Sequence, residues 1–253
     1  ARKELRVEEK KYLKWYNKVG YGSGDLAANC IYALLTSFVM IYLTDTVGLN
    51  AGIIGTLIMF SKFADGITDV FFGNLIDKTK SKMGKARPWM LYAQIGNCIL
   101  LVAVFAIPAS LGKTAQYAYF FITYTLLNAV FYTANNIAYA SLTSLITRNG
   151  NERVQMGSIR FMFSLATNII VQSITVGLVT NFGGGAEGWR TVAIIYAIIA
   201  FIVNAISVFS VKELPPEEMG TENTESSEEK ISFMESMKLL LKNKYFLMIA
   251  AFY

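Results

Sequence analysis

Apolar residues in this chain fall into six long stretches separated by short charged segments. Crossing a bilayer as helix takes about 17 to 25 predominantly apolar residues. The stretches Asp25 to Thr46, Gly52 to Ile76, Trp89 to Ala109, Gln116 to Leu145, Ile159 to Thr180 and Thr191 to Val211 all reach that length. The fourth is the longest and has room to tilt. A seventh run starts near Tyr245 and continues to Tyr253, so the sequence is expected to be an excerpt that stops inside a further span. The expected fold is all-α and integral to a membrane. A cytoplasmic segment at 1–20 precedes a six-helix transmembrane bundle at 21–211, and a linker at 212–244 leads into a seventh helix at 245–253.

Composition supports the membrane reading, since 54% hydrophobic and 16% charged residues leave too little polar surface for a water-soluble chain of 253 residues. Charge then sets orientation. Of the 23 Lys and Arg, seven lie in 1–20, five in 77–88, three in 146–160 and five in 212–244. Lys113 and Arg190 fall on the opposite side, and Lys62 lies inside the second stretch. Short cytoplasmic loops retain basic residues, so the N-terminus and the linker are placed in the cytoplasm and the chain in the cell membrane as a multi-pass protein. The net charge of +5 is a topology signal, and nucleic acid is not an expected partner. The absence of His removes imidazole acid/base chemistry, metal ligation and pH sensing. Cys30 and Cys98 lie in apolar runs without metal or redox spacing and read as small buried hydrophobes. Pro215, Pro216 and the acidic, Ser/Thr-rich tract from Glu217 to Glu229 mark a solvated linker between two units.

Polar groups inside the spans carry the functional signal, because an ionisable residue at a helix centre costs about 2.5 to 3.5 kcal/mol on insertion scales. Lys62, Asp65 and Asp69 share one face of the second span, with Thr68 beside them. Two carboxylates against one Lys leave one negative charge in excess, which a hard cation or a proton would neutralise. A purely structural ion pair is the competing reading. The fourth span carries Asn128, Tyr132, Asn136 and Tyr139 at helical spacing, with Thr133 and Asn135 adjacent. The fifth carries Arg160, Ser164, Asn168, Gln172 and Thr175. Such stripes line a cavity for hydroxyl-rich ligands, or serve as polar glue between helices. In the first span Gly20, Gly22 and Gly24 precede Asp25, Asn29 and Tyr32. The glycines read as close-packing sites, Asp25 as either a helix cap or a functional group, and Asn29 as a deeper polar group.

The order Tyr21-Gly-Ser-Gly-Asp25, Asn29, Tyr42-Leu-Thr-Asp45, Asp65-Gly-Ile-Thr-Asp69, Asp77 and Gly84-Lys-Ala-Arg-Pro-Trp89 resembles the glycoside, pentoside and hexuronide cation symporters. These are the melibiose permease-like branch of the major facilitator superfamily (MFS). Asn135 to Leu142 and Glu152-Arg153 through Arg160 extend the resemblance, which covers Lys18 to Val211. It implies a sugar carrier coupled to Na+ or H+, with Li+ as a further candidate, working by alternating access between two six-helix bundles without enzymatic chemistry or a cofactor. The partners implied are a sugar, a monovalent cation and the lipid bilayer. By the same resemblance the cation would be held by Asp65, Asp69, Thr133 and Thr68. The sugar site would contain Asn29, Asn136 and Arg160, with Tyr132, Asp25 and Tyr32 as further candidates, and Asp77, Gly84, Arg87 and Lys62 would contribute to gating. Asn29 and Asn136 replace family Asp residues, so Arg160 is no longer flanked by Asp at those two positions, and an anionic sugar such as a hexuronide or a neutral pentoside or glycoside fits equally well. A sugar sensor or assembly component, and a carrier of non-sugar solutes, are the alternative readings.

Overall fold

The computed structural model describes residues 10–215, and among these every regular element is helical. The acidic tract and the seventh apolar run lie outside the described residues. Eight α-helices follow one another: α1 (Trp15–Gly22), α2 (Gly24–Ile41), α3 (Ala51–Asp77), α4 (Arg87–Val104), α5 (Lys113–Thr125), α6 (Thr133–Ile146), α7 (Gly150–Asn181) and α8 (Gly185–Ser210). Two π-helical segments interrupt this pattern. Tyr42–Thr46 extends α2, and Leu126–Tyr132 joins α5 to α6.

Among the described residues, four runs are long and apolar enough to cross a membrane by length and composition: Trp15–Thr46, Ala51–Asp77, Gly150–Asn181 and Gly185–Ser210. The other two expected spans are helical but less apolar. Arg87, Gln94 and Asn97 dilute α4, while Gln116, Asn128, Asn135 and Asn136 dilute the run from α5 to α6. Helix α4 also ends at Val104, earlier than the expected Ala109, because Pro108 has no N–H to donate and disfavours helix in the residue before it.

Local chemistry fixes the helix starts. Asn50 Oδ1 accepts the Gly52 and Ile53 N–H groups at 2.9 and 3.3 Å and caps α3. Asn149 Oδ1 accepts the Glu152 N–H at 3.1 Å and caps α7. Pro88 occupies the first turn of α4, where a missing N–H costs nothing.

The bundle core divides into two apolar clusters. One gathers Ile31, Leu34, Leu35, Leu101, Phe120, Leu127 and Val192, and the other Tyr21, Met90, Ala138, Leu142, Met156 and Val208. Between them in the chain order of α4 and α8 lie the buried amides Gln94, Asn97 and Asn204, which Asn135 of α6 joins. Asn135 Nδ2 donates to Gln94 Oε1 at 2.8 Å, and both it and Asn204 Nδ2 reach the Met90 carbonyl. Gln94, Asn135 and Asn204 are interhelical fasteners, whereas Asn97 Nδ2 donates to Gln94 on the same helix and its Oδ1 has no partner among the described residues. The start of α2 is held equally closely. A Cβ at Gly24 would stand 2.7 Å from Ser207 Oγ and 2.8 Å from the Tyr139 ring, so only glycine permits that approach. Gly20 and Gly22 meet Ser210 and Ile159 in the same manner.

Candidate functional site

Helices α2 and α7 pack side by side and bring the first-span and fifth-span candidates together. Arg160 Nε donates to Asp25 Oδ2 at 2.6 Å, and Nη2 reaches Oδ1 at 3.4 Å. The guanidinium lies 4.1 Å from the centroid of the Tyr139 ring, a cation–π geometry. Tyr139 in turn donates to the Tyr21 carbonyl at 2.7 Å and lies 3.3 Å from Asp25 Oδ2. The Asp25 carboxylate therefore does not cap α2. Among the described residues its partners are Arg160 and Tyr139, and no backbone N–H bonds it. Neither position 29 nor position 136 supplies an acid to Arg160; Asp25 does so from one turn before Asn29.

One turn further along, Asn168 Nδ2 donates to Asn29 Oδ1 at 2.8 Å, while Asn29 Nδ2 donates to the Asp25 carbonyl. Tyr32 and Tyr132 stack with centroids 5.7 Å apart, and Asn136 is exposed with its amide unbonded among the described residues. The fourth-span stripe does not survive as one face. Asn128, Asn135 and Tyr139 are buried in helix contacts, whereas Asn136 faces outward. The split falls within α6, a regular α-helix in which Asn136 and Tyr139, three residues apart, point about 60° from each other. The fifth-span stripe also splits. Arg160 and Asn168 meet α2, Gln172 is exposed, and Thr175 is buried against the Tyr196 hydroxyl at 2.8 Å.

On α3 the regular helix keeps Lys62, Asp65 and Asp69 on one face, as their spacing requires. Lys62 Nζ is 3.1 Å from Asp65 Oδ2. The other carboxylate oxygen of Asp65 is buried and has no hydrogen-bond partner, and Asp69 is exposed. An orphaned buried carboxylate oxygen is a costly acceptor. Thr68 donates its hydroxyl to the Ala64 and Asp65 carbonyls, and Thr133 donates to the Asn128 carbonyl at 3.0 Å. Both hydroxyls thus act as donors and keep acceptor lone pairs on oxygen. Helix α3 packs on α6 and on the π-helical segment before it.

The loop after α3 is organised by a residue that the sequence did not single out. Glu213 accepts the backbone N–H groups of Lys85, Ala86 and Arg87 at 2.7, 2.9 and 3.1 Å, at the N-terminus of α4. A carboxylate is favoured there by the helix dipole. Gly84 adopts φ +107°, and a Cβ on it would strike the Glu213 carboxylate. Arg87 Nε donates to the Val208 carbonyl at 2.9 Å. Burial pushes the Arg87 guanidinium below its ordinary range, with Glu213 opposing that shift. Asp77 is exposed at the end of α3 and makes no contact of this kind among the described residues. The sequence signal for Glu213 was a single acid just past an apolar run, hidden by the acidic tract behind it. A second unrecognised fastening is Glu152, which accepts the Tyr12 and Leu13 N–H groups and the Thr147 hydroxyl and lies 3.2 Å from Lys18 Nζ.

Comparison with known proteins places these features. Residues 20–253 match the family described as MFS/sugar transport protein. The chain is 33% identical over 249 residues to the isoprimeverose transporter of Lactiplantibacillus pentosus, covering 96% of this chain and 50% of the relative. It is 32% identical over 252 residues to the uncharacterized symporter YnaJ of Bacillus subtilis (strain 168), covering 97% and 52%. The provisionally named glycoside/cation symporter YagG of Escherichia coli (strain K12) is 30% identical over 238 residues, covering 93% and 50%. The chain spans about half the length of these relatives. With an all-helical bundle, apolar helices of membrane-crossing length and a family match over most of its residues, the chain belongs to the MFS/sugar transport protein family of multi-pass membrane proteins.

Proposed function

We propose that this chain forms the N-terminal six-helix half of a cation-coupled sugar symporter in the cell membrane, with its N-terminus in the cytoplasm. The observation that carries the reading is the orphaned Asp65 oxygen beside Lys62 on α3, one turn from Asp69. Asp65 and Asp69 hold the coupling cation, Na+ or H+, and Thr68 and Thr133 supply hydroxyl oxygens to a metal cation. Asn29, Asn136, Tyr32, Tyr132 and Arg160 form the sugar-facing group, in which neutral amides donate and accept at once and the stacked tyrosines offer ring faces to a pyranose.

Coupling then follows from charge. Two carboxylates and one Lys leave α3 with one negative charge in excess, and binding one monovalent cation removes it. If the neutral form packs better against α6, cation binding favours the arrangement that binds sugar, and linkage requires sugar to tighten cation binding by the same factor. The glycine turn at Gly84 and the Arg87 and Glu213 contacts hold the cytoplasmic end of α4 in one arrangement. The positive-charge distribution supports the orientation.

The test is uptake of labelled glycosides, pentosides and hexuronides by the full-length protein in sealed proteoliposomes, with an inward Na+ gradient and then a pH gradient. Accumulation above equilibrium that collapses with the gradient is the expected result. Uptake indifferent to both gradients rejects coupling, and the absence of uptake for every sugar rejects the transport reading.

A further inference from the structure

Helix α3 carries three hydroxyl side chains, Thr56, Ser61 and Thr68. Thr56 and Thr68 donate to the carbonyls four residues earlier, those of Gly52 and Ala64, at 2.9 and 3.1 Å. That local bond is the usual resting place of a hydroxyl inside a helix. Ser61 departs from it. The residue is 1% exposed, and its Oγ is shielded from solvent without a hydrogen-bond partner among the described residues. Leaving a buried hydroxyl unpaired is unfavourable, so this position asks for a group that the described residues do not supply.

Asp65 lies four residues on, about 40° around the helix, so the two side chains project from one face. Its Oδ1 is likewise shielded and without a partner, while Oδ2 is held by Lys62. Two orphaned oxygens, one neutral and one charged, thus stand one turn apart on α3. Cβ atoms at this spacing are about 5 to 6 Å apart. A single ion held at roughly 2.3 to 2.6 Å from each oxygen bridges such a gap, the range for Ca2+, whose radius is close to that of Na+. The elements packed on α3 bring little rival charge. Helix α6 and the π-helical segment before it contain no Asp, Glu, Lys or Arg, and α5 has only Lys113, at its first residue. On α5 the group close enough to feel Lys62 and Asp65 is the Tyr124 phenol. Asp45, on the segment Tyr42–Thr46 that also meets α3, is exposed.

A proton and a metal cation make different demands on such a face. A proton binds one carboxylate oxygen and needs no further ligand. A hard cation that sheds its water needs several oxygens, and a neutral hydroxyl adds coordination without adding charge. We infer that Ser61 is a ligand of the coupling cation, its hydroxyl oxygen acting with Asp65 Oδ1 to fit the α3 site to Na+ or Li+ rather than to H+. This inference rests on the cation-symport reading above and narrows it.

The experiment measures binding of radioactive Na+ to the purified full-length protein in detergent, without sugar, for the wild type and for Ser61→Ala and Ser61→Cys. Cysteine keeps nearly the same volume and a donor hydrogen, but its soft sulfur is a poor ligand for a hard cation. The wild type is expected to bind Na+ and to release it to excess Li+. Both variants are expected to bind Na+ about tenfold more weakly, the scale of loss when one group of a metal site is removed. Wild-type affinity in Ser61→Cys would mean that the hydroxyl only packs or donates to Asp65, and it overturns the inference. Unchanged affinity in Ser61→Ala overturns it as well. A wild-type protein that accumulates sugar under a pH gradient but binds no Na+ leaves symport standing and removes the role of Ser61. Should one variant fail to fold, the other decides; should both, the wild-type choice between Na+ and H+ decides alone. Absence of both Na+ binding and gradient-driven sugar uptake overturns the symport reading and this inference together.

Discussion

Asp25 on α2 and Asp65 on α3 each have a cationic side chain within 3.1 Å, yet the two pairs are built differently. At Asp25 both carboxylate oxygens are bonded, the partner is a planar guanidinium, and Tyr139 lies against that group. At Asp65 one oxygen is bonded to an ammonium that is itself half exposed, and the other oxygen is buried without a partner. Guanidinium matches a carboxylate edge to edge, whereas an ammonium is a point charge that satisfies one oxygen and leaves the other. In the first arrangement both carboxylate oxygens already have a donor. The second leaves one acceptor unfilled beside a half-exposed ammonium, the feature on which the proposed cation site rests.

Removing the charge at the open pair gives the largest expected effect. A contact between unit charges is worth roughly 4 kcal/mol at an effective dielectric of 20. Asp65→Asn is therefore expected to weaken cation affinity by about 100-fold or more and to abolish gradient-driven accumulation, read by cation titration of sugar binding. Asp69→Asn should cost less, because Asp69 is exposed and its field is screened. Full cation stimulation in both variants would remove the distinction between the two pairs.

At the closed pair the expected effect is on stability. Arg160→Gln strands the Asp25 carboxylate, and with both side chains partly exposed the loss is about 2 to 3 kcal/mol, below the value for a fully buried pair. Thermal unfolding in detergent reads this loss. Combining Arg160→Gln with Asp25→Asn should recover part of it, because the double variant leaves no lone charge. Additive losses would mean the pair is not coupled.

Lys62→Gln sharpens the contrast from the other side. Removing the displaceable counterion should raise cation affinity by about tenfold, a change of about 1.4 kcal/mol, since the cation no longer competes with an ammonium. Weakened affinity would instead make Lys62 a required member of the site. The smallest effect belongs to the cytoplasmic turn. Glu213→Gln keeps the acceptor oxygen but loses the charge, and about 1 kcal/mol of stability is expected to go with it, measured in the same unfolding assay.

The comparison also explains what the sequence could convey. Lys62, Asp65 and Asp69 were legible because α3 is a regular helix from Ala51 to Asp77, so spacing alone gives their shared face. The apolar runs were legible because length and hydropathy are local properties, and among the described residues α2 to α8 overlap those runs, while α1 lies before the first of them. In the stripe from Asn128 to Tyr139, helical spacing says nothing of which neighbouring helix covers each residue, and burial differs along it. The pairing of Asp25 with Arg160 joins residues 135 apart and leaves no periodic trace. Glu213 was obscured in another way: its sign matched the acidic tract that follows, so composition assigned it to the solvated linker although the compact unit runs through it.

Glu213 also changes where a mechanical load on the chain would be felt. It lies three residues past the end of α8, but its carboxylate is fastened to the first turn of α4. Like a strain relief where a cable leaves its housing, it would take up tension from the residues beyond. Three hydrogen bonds sharing one carboxylate are loaded before the last turn of α8 begins to unwind. A pull at this exit is thus delivered to α4, the helix carrying the buried amides Gln94 and Asn97, so the tether and the interior of the bundle share one point of attachment.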